Sequence, residues 1–589
     1  MKTKHMKKLE KNTDLIVWDH FSKYKGTMNF NVEPEKTQNQ LIQNLLKNAS
    51  KKGTEKVGFP EYIITFADYP SLVIVIENKA DTLDHESKRL NQPIKYAVDG
   101  ALHYGKKLSK EFDVISIGVS GTSIDSLLVT HHLHLKNSVL PIKLDNFKNL
   151  MSPQQYIEFY TTDERKNRQD FENLLKFSDK LNEDLFKKYK IKEDERAILI
   201  AAILVSLKNN AFKNSYKEYT LSEELCVSIS NAVKTQLTKN NLNIKYIDMI
   251  LGHFNFICQS PKFREDVVLL KELIYTVDVN INCYIQNSQY QDVLGSLYVK
   301  FLEKANGDRQ LGIVLTPEHI TRFMCRLCEL TDESIILDNC AGTGGFLLSA
   351  SKYNSQIMGI EYEPKMFTLM VLNMMIHNLP LKNVWQGDSL MDSEILSNVE
   401  KSQPTAGILN PPYDGREWEF IEKNLKVLKK NSKCVAIVPM SLVTSMDTKN
   451  LSSRKRILEN HQLDAVFSMP NELFFNSNTS VVTCVIVLTA HVKHSENKEV
   501  YFGYYKNDGF EKRKKFGRYD INNTWNKIED EWFWNYKNRY VKPEYSVSKK
   551  VKHDDEWCAE SFLETDYNAI TESEFENMLK KYAAFKILN

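Results

Sequence analysis

In the second half of the chain, short apolar runs alternate with longer stretches of helical periodicity. Each short run predicts a buried strand, because a strand that is covered on both faces shows no regular polar alternation. Helical patterns at 347–353, 366–377 and 419–430 separate these runs, so the sequence predicts a doubly wound α/β sheet for this part. The predicted strands are 335–337, 356–360, 384–388, 406–409, 434–439, 463–467 and 481–487.

Polar side chains lie at the ends of the first four of these strands: Asp338, Glu361, Asp388 and Asn410. Open α/β sheets bind ligands at this carboxyl edge. Gly342 and Gly344, in the turn after the first strand, would let the backbone approach a ligand closely. An acid at the end of the second strand suits two ribose hydroxyls, and one at the end of the third can accept from an adenine amino group. NAD or ATP would be the rival ligands, but no complete P-loop motif occurs.

The fourth strand runs into Asn410-Pro411-Pro412-Tyr413. Two prolines make this loop rigid and leave its carbonyl groups without neighbouring donors. The amide oxygen of Asn410 and the carbonyl of Pro411 can accept the two hydrogens of an exocyclic amino group, while Tyr413 stacks on the base. A rigid turn is the structural alternative, and the polar ends of the three preceding strands favour the amino-group clamp.

These elements, in this order, resemble the N6-adenine DNA methyltransferases that use S-adenosylmethionine. The signature (D/N/S)-P-P-(Y/F/W) and the turn Asp-Pro-x-x-Gly-Thr-Gly-Gly-Phe are most similar to the modification subunits of type I restriction systems. Here Asn339 stands where that family usually has Pro. The resemblance covers about 286–520, including 292–298 and 312–317, and it implies a Rossmann-like class I methyltransferase domain. Cytosine N4 has the same amino chemistry, and the motif order favours adenine.

The resemblance also implies roles for individual residues. Thr316, Asp338, Gly342, Gly344, Glu361 and Asp388 would bind the cofactor, and Asn410 to Tyr413 would hold an adenine flipped out of double-stranded DNA. In the family, a Phe of the loop 469–475 faces the flipped base. Phe474 and Phe475 are the two candidates here, and packing in the core is an equal alternative for them.

The first 150 residues carry a second set of charged residues. Predicted strands at 60–66 and 71–76 place Glu61 in the first strand and Glu77-Asn78-Lys79 at the end of the second. Two acids at one sheet edge can hold Mg²⁺, and Lys79 can orient or activate the attacking water. Taken alone, such strings would more often be surface charges at strand ends.

Two neighbouring features strengthen the nuclease interpretation. A predicted helix at 35–48 with Glu35 precedes the strands, and Gln92-x-x-x-Tyr96 follows them, before a strand at 113–119. The resulting αβββαβ order resembles the PD-(D/E)xK nucleases, with Glu61 in place of the usual Asp. The resemblance implies an α/β endonuclease domain with Mg²⁺ bound by Glu61 and Glu77.

Between these two parts, 156–285 is helical in pattern and shows no catalytic spacing. Beyond 523 an aromatic stretch and a predicted terminal helix at 572–587 suggest a surface that docks a partner chain, or a small local core. We therefore expect four domains: an endonuclease at 1–150, a helical connector at 151–285, a methyltransferase at 286–520 and a docking tail at 521–589.

Composition adds constraints on partners and location. The net charge of +2 over 589 residues is low for a protein that binds DNA tightly alone, so part of the DNA-binding surface is expected on another chain. A basic cluster at 512–515, with Lys506, Arg518 and interleaved aromatics, is equally typical of DNA contact and of a solvated loop. The longest apolar run, 197–207, is too short to span a membrane. Nine cysteines without a pairing pattern favour a reducing cytoplasm.

The order of nuclease, helical spacer and adenine methyltransferase, without a target recognition domain or a helicase motor, resembles the catalytic subunit of type IIB restriction-modification systems. That resemblance implies a hetero-oligomer in which a separate specificity subunit reads the DNA site. Two alternatives stay open. One is an adenine methyltransferase whose N-terminal domain is only structural or docks DNA, and the other is a non-enzymatic interaction protein on a degenerate scaffold.

Overall fold

A computed structural model gives the fold as two compact units, Met1–Asp170 and Phe171–Asn589. Helix α5, Glu164–Lys187, contains the boundary between the units. Gly312 lies outside the described residues, and so do most residues of the predicted terminal helix at 572–587. The structure describes residues 2–52, 56–138, 140–282, 284–285, 293–302, 315–475, 481–513, 517–522, 524–564, 575–576, 578–580 and 582.

The first unit is built on a six-stranded mixed sheet with the order β1-β2-β3-β4-β5-β6. Only β3 and β4 are parallel, and α3 makes the crossover between them. The three strands predicted from the sequence are confirmed as β2, β3 and β4. The elements are α1 Lys2–Ser22, β1 Phe30–Pro34, α2 Gln40–Leu46, β2 Tyr62–Phe66, β3 Leu72–Lys79, α3 Ala97–Leu108, β4 Asp113–Ser120, β5 Leu128–His134, β6 Ile142–Lys143 and α4 Pro153–Thr162.

The prediction of a helix from residue 35 is wrong at its start. Residues Phe30–Pro34 pair with β2 as an edge strand, and Glu35 follows with φ +55, a left-handed conformation that cannot continue into a helix. Helix α2 begins only at Gln40, where the side chain of Asn39 accepts from the backbone of Leu41 and caps the helix. Glu35 is therefore exposed and lies outside any helix.

Helices cover both faces of the first sheet. Alternate residues of β3 point to opposite faces, so Ile74 and Ile76 join the core under α1 and α4, while Val73 and Val75 join the core under α2 and α3. All four side chains are buried. This two-sided burial explains why β3 is a continuous apolar run up to Glu77.

The second unit contains a nine-stranded mixed sheet with the order β17-β14-β12-β13-β11-β10-β7-β8-β9. The strands β9, β8, β7, β10 and β11 are parallel, and β13 inserts antiparallel between β11 and β12. Helices separate the parallel strands in sequence, so the prediction of a Rossmann-like, class I methyltransferase type of α/β fold is confirmed for this part of the chain.

The helices of the second unit begin in the segment predicted as a connector. They are α6 Glu193–Leu207, α7 Asn210–Ser215, α8 Ser222–Lys239, α9 Ile244–Gly252, α10 Asn255–Gln259, α11 Pro261–Glu265, α12 Val267–Val277, α13 Val293–Leu302, α14 Glu318–Leu327, α15 Gly345–Ser351, α16 Pro364–Ile376, α17 Ser393–Ser402, α18 Glu417–Val427, α19 Met440–Thr444, α20 Thr448–Asn460 and α21 Trp525–Lys537. The strands are β7 Ile335–Asp338, β8 Gln356–Glu361, β9 Val384–Gln386, β10 Ala406–Leu409, β11 Lys433–Pro439, β12 Gln462–Ser468, β13 Thr483–Thr489, β14 Glu499–Tyr504, β15 Glu511–Arg513, β16 Gly517–Tyr519 and β17 Ser546–Lys550.

The connector helices share one core with the methyltransferase-like sheet. Helix α6 is buried from Arg196 to Leu207 and packs against α8, α13 and α16. At its end, Lys208 Nζ donates to the carbonyls of Met375 and Ile376 at 2.8 and 2.7 Å, which satisfies carbonyl groups at the end of α16. The helical segment after residue 171 therefore belongs to the same compact unit as the sheet.

The segment predicted as a docking tail also contributes to this unit. Strand β17 pairs antiparallel with β14 and forms the edge of the sheet. Helix α21 packs against α14 and buries Trp525, Trp532 and Tyr536. These three aromatic residues thus belong to the core, which is closer to the second of the two predicted alternatives for this stretch, while Trp534 of the same helix is 56% exposed.

No helix in the described part of the chain is long and apolar enough to cross a membrane. The eight cysteines among the described residues are free thiols, and Cys325 and Cys328 are buried in the core. Those same residues contain no group of three or more potential metal ligands. The close pair Cys325-x-x-Cys328 is therefore a packing feature of α14 and its end.

A buried polar contact lies beneath the carboxyl edge of the large sheet. Asn424 Nδ2, on α18, donates to Asn339 Oδ1 at 3.0 Å, and Asn339 Nδ2 donates to the carbonyl of Phe420 at 3.0 Å. A Cβ atom at Gly407 in β10 would overlap Asn424 Oδ1. Asn339 thus links the glycine-rich turn to α18, the helix that follows Asn410 to Tyr413. This is the position at which type I modification subunits usually have Pro.

The absence of a side chain at Gly407 is therefore a packing requirement. We expect Gly407→Ala to lower the free energy of unfolding by about 1–3 kcal/mol, because the added methyl group forces Asn424 out of a full core. Denaturant unfolding of the whole chain measures this. The control is Gly252→Ala, where a Cβ atom meets nothing within 4 Å and α9 should be unaffected or slightly stabilised. Equal stability of the two variants would contradict the packing argument.

Candidate active sites

The structure brings the four predicted strand ends of the second unit to one edge. Strands β7, β8, β9 and β10 are parallel, so Asp338, Glu361, Asp388 and Asn410 all lie at or just beyond their carboxyl ends. The backbone of Gly342 donates to Glu361 Oε2 at 2.8 Å, and the backbone of Gly387 donates to the carbonyl of Glu361 at 3.0 Å. The loops after β7, β8 and β9 are thus tied to one another.

The turn after β7 leaves open space at Gly342. Gly342 and Gly344 have φ values of +54 and +85, a region that favours glycine. A Cβ atom at Gly342 would meet no other atom within 4 Å, so the backbone faces an open space. A ligand can approach this turn closely.

Asp338 is the most unusual group at this edge. It is fully buried, and its Oδ1 accepts from the backbone of Cys340 at 3.0 Å. Its Oδ2 has no hydrogen-bond partner within the described ranges of the chain. Burial, together with the nearby Glu361 carboxylate, raises the pKa of Asp338 to about 8. A buried oxygen without a hydrogen-bond partner, such as Asp338 Oδ2, is suited to accept from a donor group of a ligand.

The two other acids of this edge are held by backbone amides. Glu361 Oε1 accepts from Glu363 at 2.9 Å, and burial raises the pKa of Glu361. Asp388 is half-buried and accepts from the backbone of Leu390 at 2.8 Å. Each carboxylate oxygen has a second lone pair, so both groups retain capacity to accept from ligand hydroxyl or amino groups.

Two apolar side chains beside these acids were not predicted. Tyr362 directly follows Glu361 and is 70% exposed, and Met391 lies three residues after Asp388 and is 79% exposed. Large exposed apolar groups next to a polar ligand edge are candidates for contact with a flat ring. The sequence signal was present, since an aromatic residue follows the strand-end acid.

Asn410 and Thr316 lie within hydrogen-bond distance of each other. Asn410 Nδ2 donates to Thr316 Oγ1 at 3.0 Å, which joins the end of β10 to the loop before α14. Since the amide nitrogen is the donor in this bond, the orientation of the Asn410 side chain is fixed. The sequence proposed both residues but gave no sign that they touch.

The ring of Tyr413 packs against the loop 469–475. Its ring centroid lies 6.5 Å from that of Phe474 at an interplanar angle of 83°, an edge-to-face contact. Burial raises the pKa of the Tyr413 hydroxyl, whose oxygen has no partner among the residues that the structure describes. Phe474 is buried, whereas Phe475 is 43% exposed. Of the two Phe candidates, Phe475 is thus the one with an accessible ring.

The first unit gathers the predicted nuclease residues at one edge of its sheet. Glu61 precedes β2, and Glu77 and Lys79 lie at the end of β3. Burial raises the pKa of Glu61 to about 7, and the carboxylates of Glu77 and Asp14 add to this rise, while Lys51 and Lys79 oppose it. These five charged groups therefore form one cluster.

Asp14 and Lys51 were missed by sequence reasoning. Asp14, on α1, accepts from Asn78 Nδ2 at 2.9 Å. Lys51 Nζ lies 2.6 Å from Oε2 of Glu77, whose side chain is wholly buried. Asp14 takes the place expected for Glu35, which contacts Glu61 only through its backbone amide at 3.2 Å. The sequence analysis predicted no helix before residue 35, and an acid within the helical segment Lys2–Ser22 was the signal that could have identified Asp14.

Gln92 and Tyr96 frame the start of α3. Tyr96 is its N-cap residue, and the exposed Gln92 donates its backbone amide to Asp99 Oδ1 at 2.7 Å. A Cβ atom at Gly100 of α3 would lie 3.1 Å from Glu77 Oε2, so this helix passes close to the buried carboxylate. The structure places Gln92 and Tyr96 at the turn that leads α3 toward Glu77.

Comparison with known proteins gives matches over most of the chain. The family described as N-6 DNA Methylase matches residues 289–586. The type II restriction enzyme and methyltransferase RM.BcgI of Heyndrickxia coagulans is 27% identical over 541 residues, 82% of this chain and 83% of that protein. The EcoEI type I methylase subunit of Escherichia coli is 24% identical over 282 residues, 42% of this chain and 54% of that protein. A type I methyltransferase subunit from Streptococcus thermophilus has a TM-score of 0.47 at 16% identity, over 68% of this chain and 100% of that one.

The raised pKa of Glu61 makes the stability of the first unit depend on pH. The folded unit keeps a proton on Glu61 up to a pKa of about 7, whereas the unfolded chain loses it near the ordinary glutamate pKa of 4.5. Stability therefore falls as the pH rises through this window and stays lower above it. We expect Glu61→Gln, relative to the natural chain, to raise the unfolding midpoint more at pH 8 than at pH 5.

Thermal unfolding in metal-free buffer at constant ionic strength measures this difference. Glu35→Gln at the exposed neighbouring position is the matched control. The same pH dependence of the unfolding midpoint in both variants would contradict a raised pKa of Glu61 in the folded protein.

Proposed function

The chain belongs to the N-6 DNA methylase family, and from that premise we propose that the second unit methylates N6 of adenine in double-stranded DNA. The observation that carries the proposal is the position of Asn410-Pro411-Pro412-Tyr413 at the end of β10, beside the glycine-rich turn and Asp338. The hydrogen bond between Asn410 and Thr316 joins the proposed acceptor site to the proposed cofactor site.

The residues at the strand ends fit S-adenosylmethionine as the cofactor. The buried Asp338 oxygen without a partner suits its ammonium group, and the open face at Gly342 leaves room for it. Glu361 would accept from the ribose hydroxyls and Asp388 from the adenine amino group, with Tyr362 and Met391 against the ring. When bound, this cofactor supplies an electrophilic methyl group on a sulfonium centre.

The acceptor site works by orientation. Asn410 Oδ1 and the carbonyl of Pro411 accept the two N6 hydrogens, which turns the nitrogen lone pair toward the methyl donor. Tyr413 stacks on a base that has left the duplex, because N6 cannot be reached inside the helix. The hydrogen bond to Thr316 fixes the orientation of the Asn410 amide before the base arrives. None of these roles requires an ionised side chain.

Asn410→Ala should lower the rate of methyl transfer by at least about 100-fold, the usual cost of removing one group that holds the reacting atom. Cofactor affinity should stay within about 3-fold, because Asn410 is assigned to the base, and the Thr316 hydroxyl that accepts from it remains in place in the variant. Transfer of labelled methyl groups to DNA and calorimetric titration of S-adenosylmethionine measure the two effects.

The control is Asn460→Ala, because among the described residues the Asn460 side chain bonds to the backbone of Arg456 in its own helix. Full methyl transfer by the Asn410 variant would overturn the assignment of the acceptor site.

We propose that the first unit is a PD-(D/E)xK-like endonuclease that cleaves unmethylated DNA. Support comes from the cluster of Glu61, Glu77 and Lys79 at one sheet edge, with Asp14 on α1 in place of Glu35. The relative that spans 82% of the chain is named as both a restriction enzyme and a methyltransferase. Gln92 and Tyr96 would position α3 beside Glu77.

The residues of this cluster fit Mg²⁺. Glu61 and Glu77 would hold the ion, which usually keeps several waters and needs only one or two carboxylates from the protein. Burial, and after it the carboxylates of Glu77 and Asp14, raise the pKa of Glu61, and a divalent cation would stabilise the charged form of this carboxylate. Lys79 would orient the attacking water.

One observation favours the alternative that the first unit is structural or only docks DNA. Lys51 already pairs with Glu77 at 2.6 Å, which makes the cluster partly self-neutralising. Under this alternative, the chain is an adenine methyltransferase subunit without cleavage activity.

Lys79→Ala separates these alternatives. If the first unit is a nuclease, the natural chain should cleave unmethylated DNA with Mg²⁺, and the variant should lose cleavage while methyl transfer continues. Gel analysis of plasmid DNA and labelled methyl transfer give the two readouts. Lys52→Ala, an exposed lysine next to Lys51, is the control and should keep both activities. Cleavage that survives in the Lys79 variant, or that never occurs with the natural chain, would favour the structural alternative.

We also propose that a separate specificity subunit with target recognition domains reads the DNA site and forms a hetero-oligomer with this chain. The near-neutral net charge of +2 supports this, because a DNA-binding surface formed by one chain alone usually carries more positive charge. Several relatives are named as methylase subunits of type I restriction enzymes, which agrees with a multi-chain assembly.

A further inference from the structure

We propose that a rim next to the acceptor site binds the phosphate backbone of the DNA strand that carries the target base. The rim consists of Lys506 and Lys512, Glu472 and Phe475, and it joins the hairpin β15–β16 to the loop 469–475. This inference rests on the proposed DNA substrate and adds the surface that holds it. None of the residue roles proposed above for methyl transfer involves the hairpin.

The rim lies beside Tyr413 of the proposed acceptor site. Phe474 packs edge-to-face on Tyr413, and the next residue, Phe475, has its ring 4.2 Å from Lys512 Nζ. A flipped nucleotide stays attached to its strand, so its flanking phosphates must pass close to the pocket that holds the base. Lys512, beside the ring of Phe475, and Lys506, bonded to Asn471, thus extend from the loop that packs on Tyr413 and are available to flanking phosphates.

The cations of the rim can exchange their present partners for phosphate. Lys512 Nζ lies 2.5 Å from Glu472 Oε1, with the two side chains 42% and 56% exposed. Lys506 Nζ lies 3.1 Å from Asn471 Oδ1 and 3.2 Å from Glu560 Oε1. The Lys512–Glu472 pair is an exposed ion pair, a kind that contributes little to stability, whereas Lys506 is half-buried, with 19% of its side chain exposed. A phosphate that displaces a carboxylate from these lysines also releases its own counterions.

Phe475 adds an apolar contact to the same surface. Its ring is 43% exposed, although the preceding Phe474 is buried in the core. Exposed aromatic rings interleaved with cations are typical of surfaces that follow a single nucleic-acid strand. A strand entering the Tyr413 pocket would thus meet a ring for stacking and lysines for its phosphates.

A buried polar network fixes the base of the hairpin. Asp508 is wholly buried, and its carboxylate accepts from both terminal nitrogens of Arg518 in β16 and from His319 Nε2 at 3.0 Å. The His319 ring also stacks on Phe510 with a centroid distance of 3.8 Å. Such a satisfied network holds its members in one arrangement.

The same network connects the rim to the acceptor site. His319 lies in the first turn of α14, three residues after Thr316, which accepts from Asn410. The hairpin and Asn410 are therefore anchored on one helix end. This gives the rim a fixed position relative to the base-binding pocket.

The test replaces the rim lysines without adding new charge. In Lys506→Gln/Lys512→Gln, the affinity for a short labelled duplex with one mismatched adenine is measured as a function of salt. We expect weaker binding and a log–log salt slope reduced by about 1–2, since each lost phosphate contact removes about 0.9 from the slope. The KM for DNA should rise by about 10-fold, with kcat and cofactor affinity unchanged, because uniform binding alone is lost.

Two further variants make the result specific. Lys549→Gln/Lys550→Gln removes the same charge from exposed positions on β17 and should leave the salt slope unchanged. Phe475→Ala should weaken binding without changing the slope, since the ring carries no charge.

An unchanged slope in the rim variant, or an equal change in the β17 control, would overturn the proposal. The proposal would also be overturned if the rim variant bound DNA normally and instead lost assembly with a partner protein, since the rim would then be a protein-binding surface. DNA affinity and its salt slope are measured without methyl transfer. A natural chain that transfers no methyl group would therefore contradict the proposed function, while the expected difference in salt slope would still support the rim.

Discussion

The parallel alignment of β7, β8, β9 and β10 is the constraint on which the second unit depends. Their shared direction brings groups from Asp338 to Asn410, separated by more than seventy residues of sequence, to one edge. The loops after these strands then bond to one another, as in the contact of Gly342 with Glu361. Without this alignment, the strand-end residues would be isolated polar groups with no common ligand.

The two candidate sites solve different electrostatic problems. In the second unit, the groups at the proposed acceptor site are an amide, carbonyls and an aromatic ring, all of them uncharged, and the buried acid Asp338 has a raised pKa. In the first unit, Asp14, Glu61 and Glu77 crowd together, and Lys51 and Lys79 offset them only in part. That imbalance makes the edge of the first sheet responsive to pH and receptive to a cation.

Buried polar contacts set the geometry around the acceptor site. Asn424 and Asn339 link the helix after Asn410–Tyr413 to the glycine-rich turn, and the space they need explains Gly407. On the other side, Asp508 joins Arg518 and His319, which places the hairpin on the same helix end as Thr316. Removing one partner of such a contact leaves the other polar group buried without a hydrogen bond, which destabilises the protein. These contacts therefore favour the one arrangement of the loops in which every partner is satisfied.

The sequence by itself determined the apolar runs, the strand ends and the local motifs, because burial of a strand and the chemistry of a loop are written in neighbouring residues. It therefore predicted the α/β sheet of the second unit, the strands β2 to β4 and the Asn410 loop. Only the tertiary structure decided which distant residues meet. It placed Asp14 and Lys51 with Glu61 and Glu77, moved Glu35 out of a helix, paired Thr316 with Asn410 and added β17 to the sheet. These outcomes depend on how far-separated segments pack, and no local pattern of side chains encodes that.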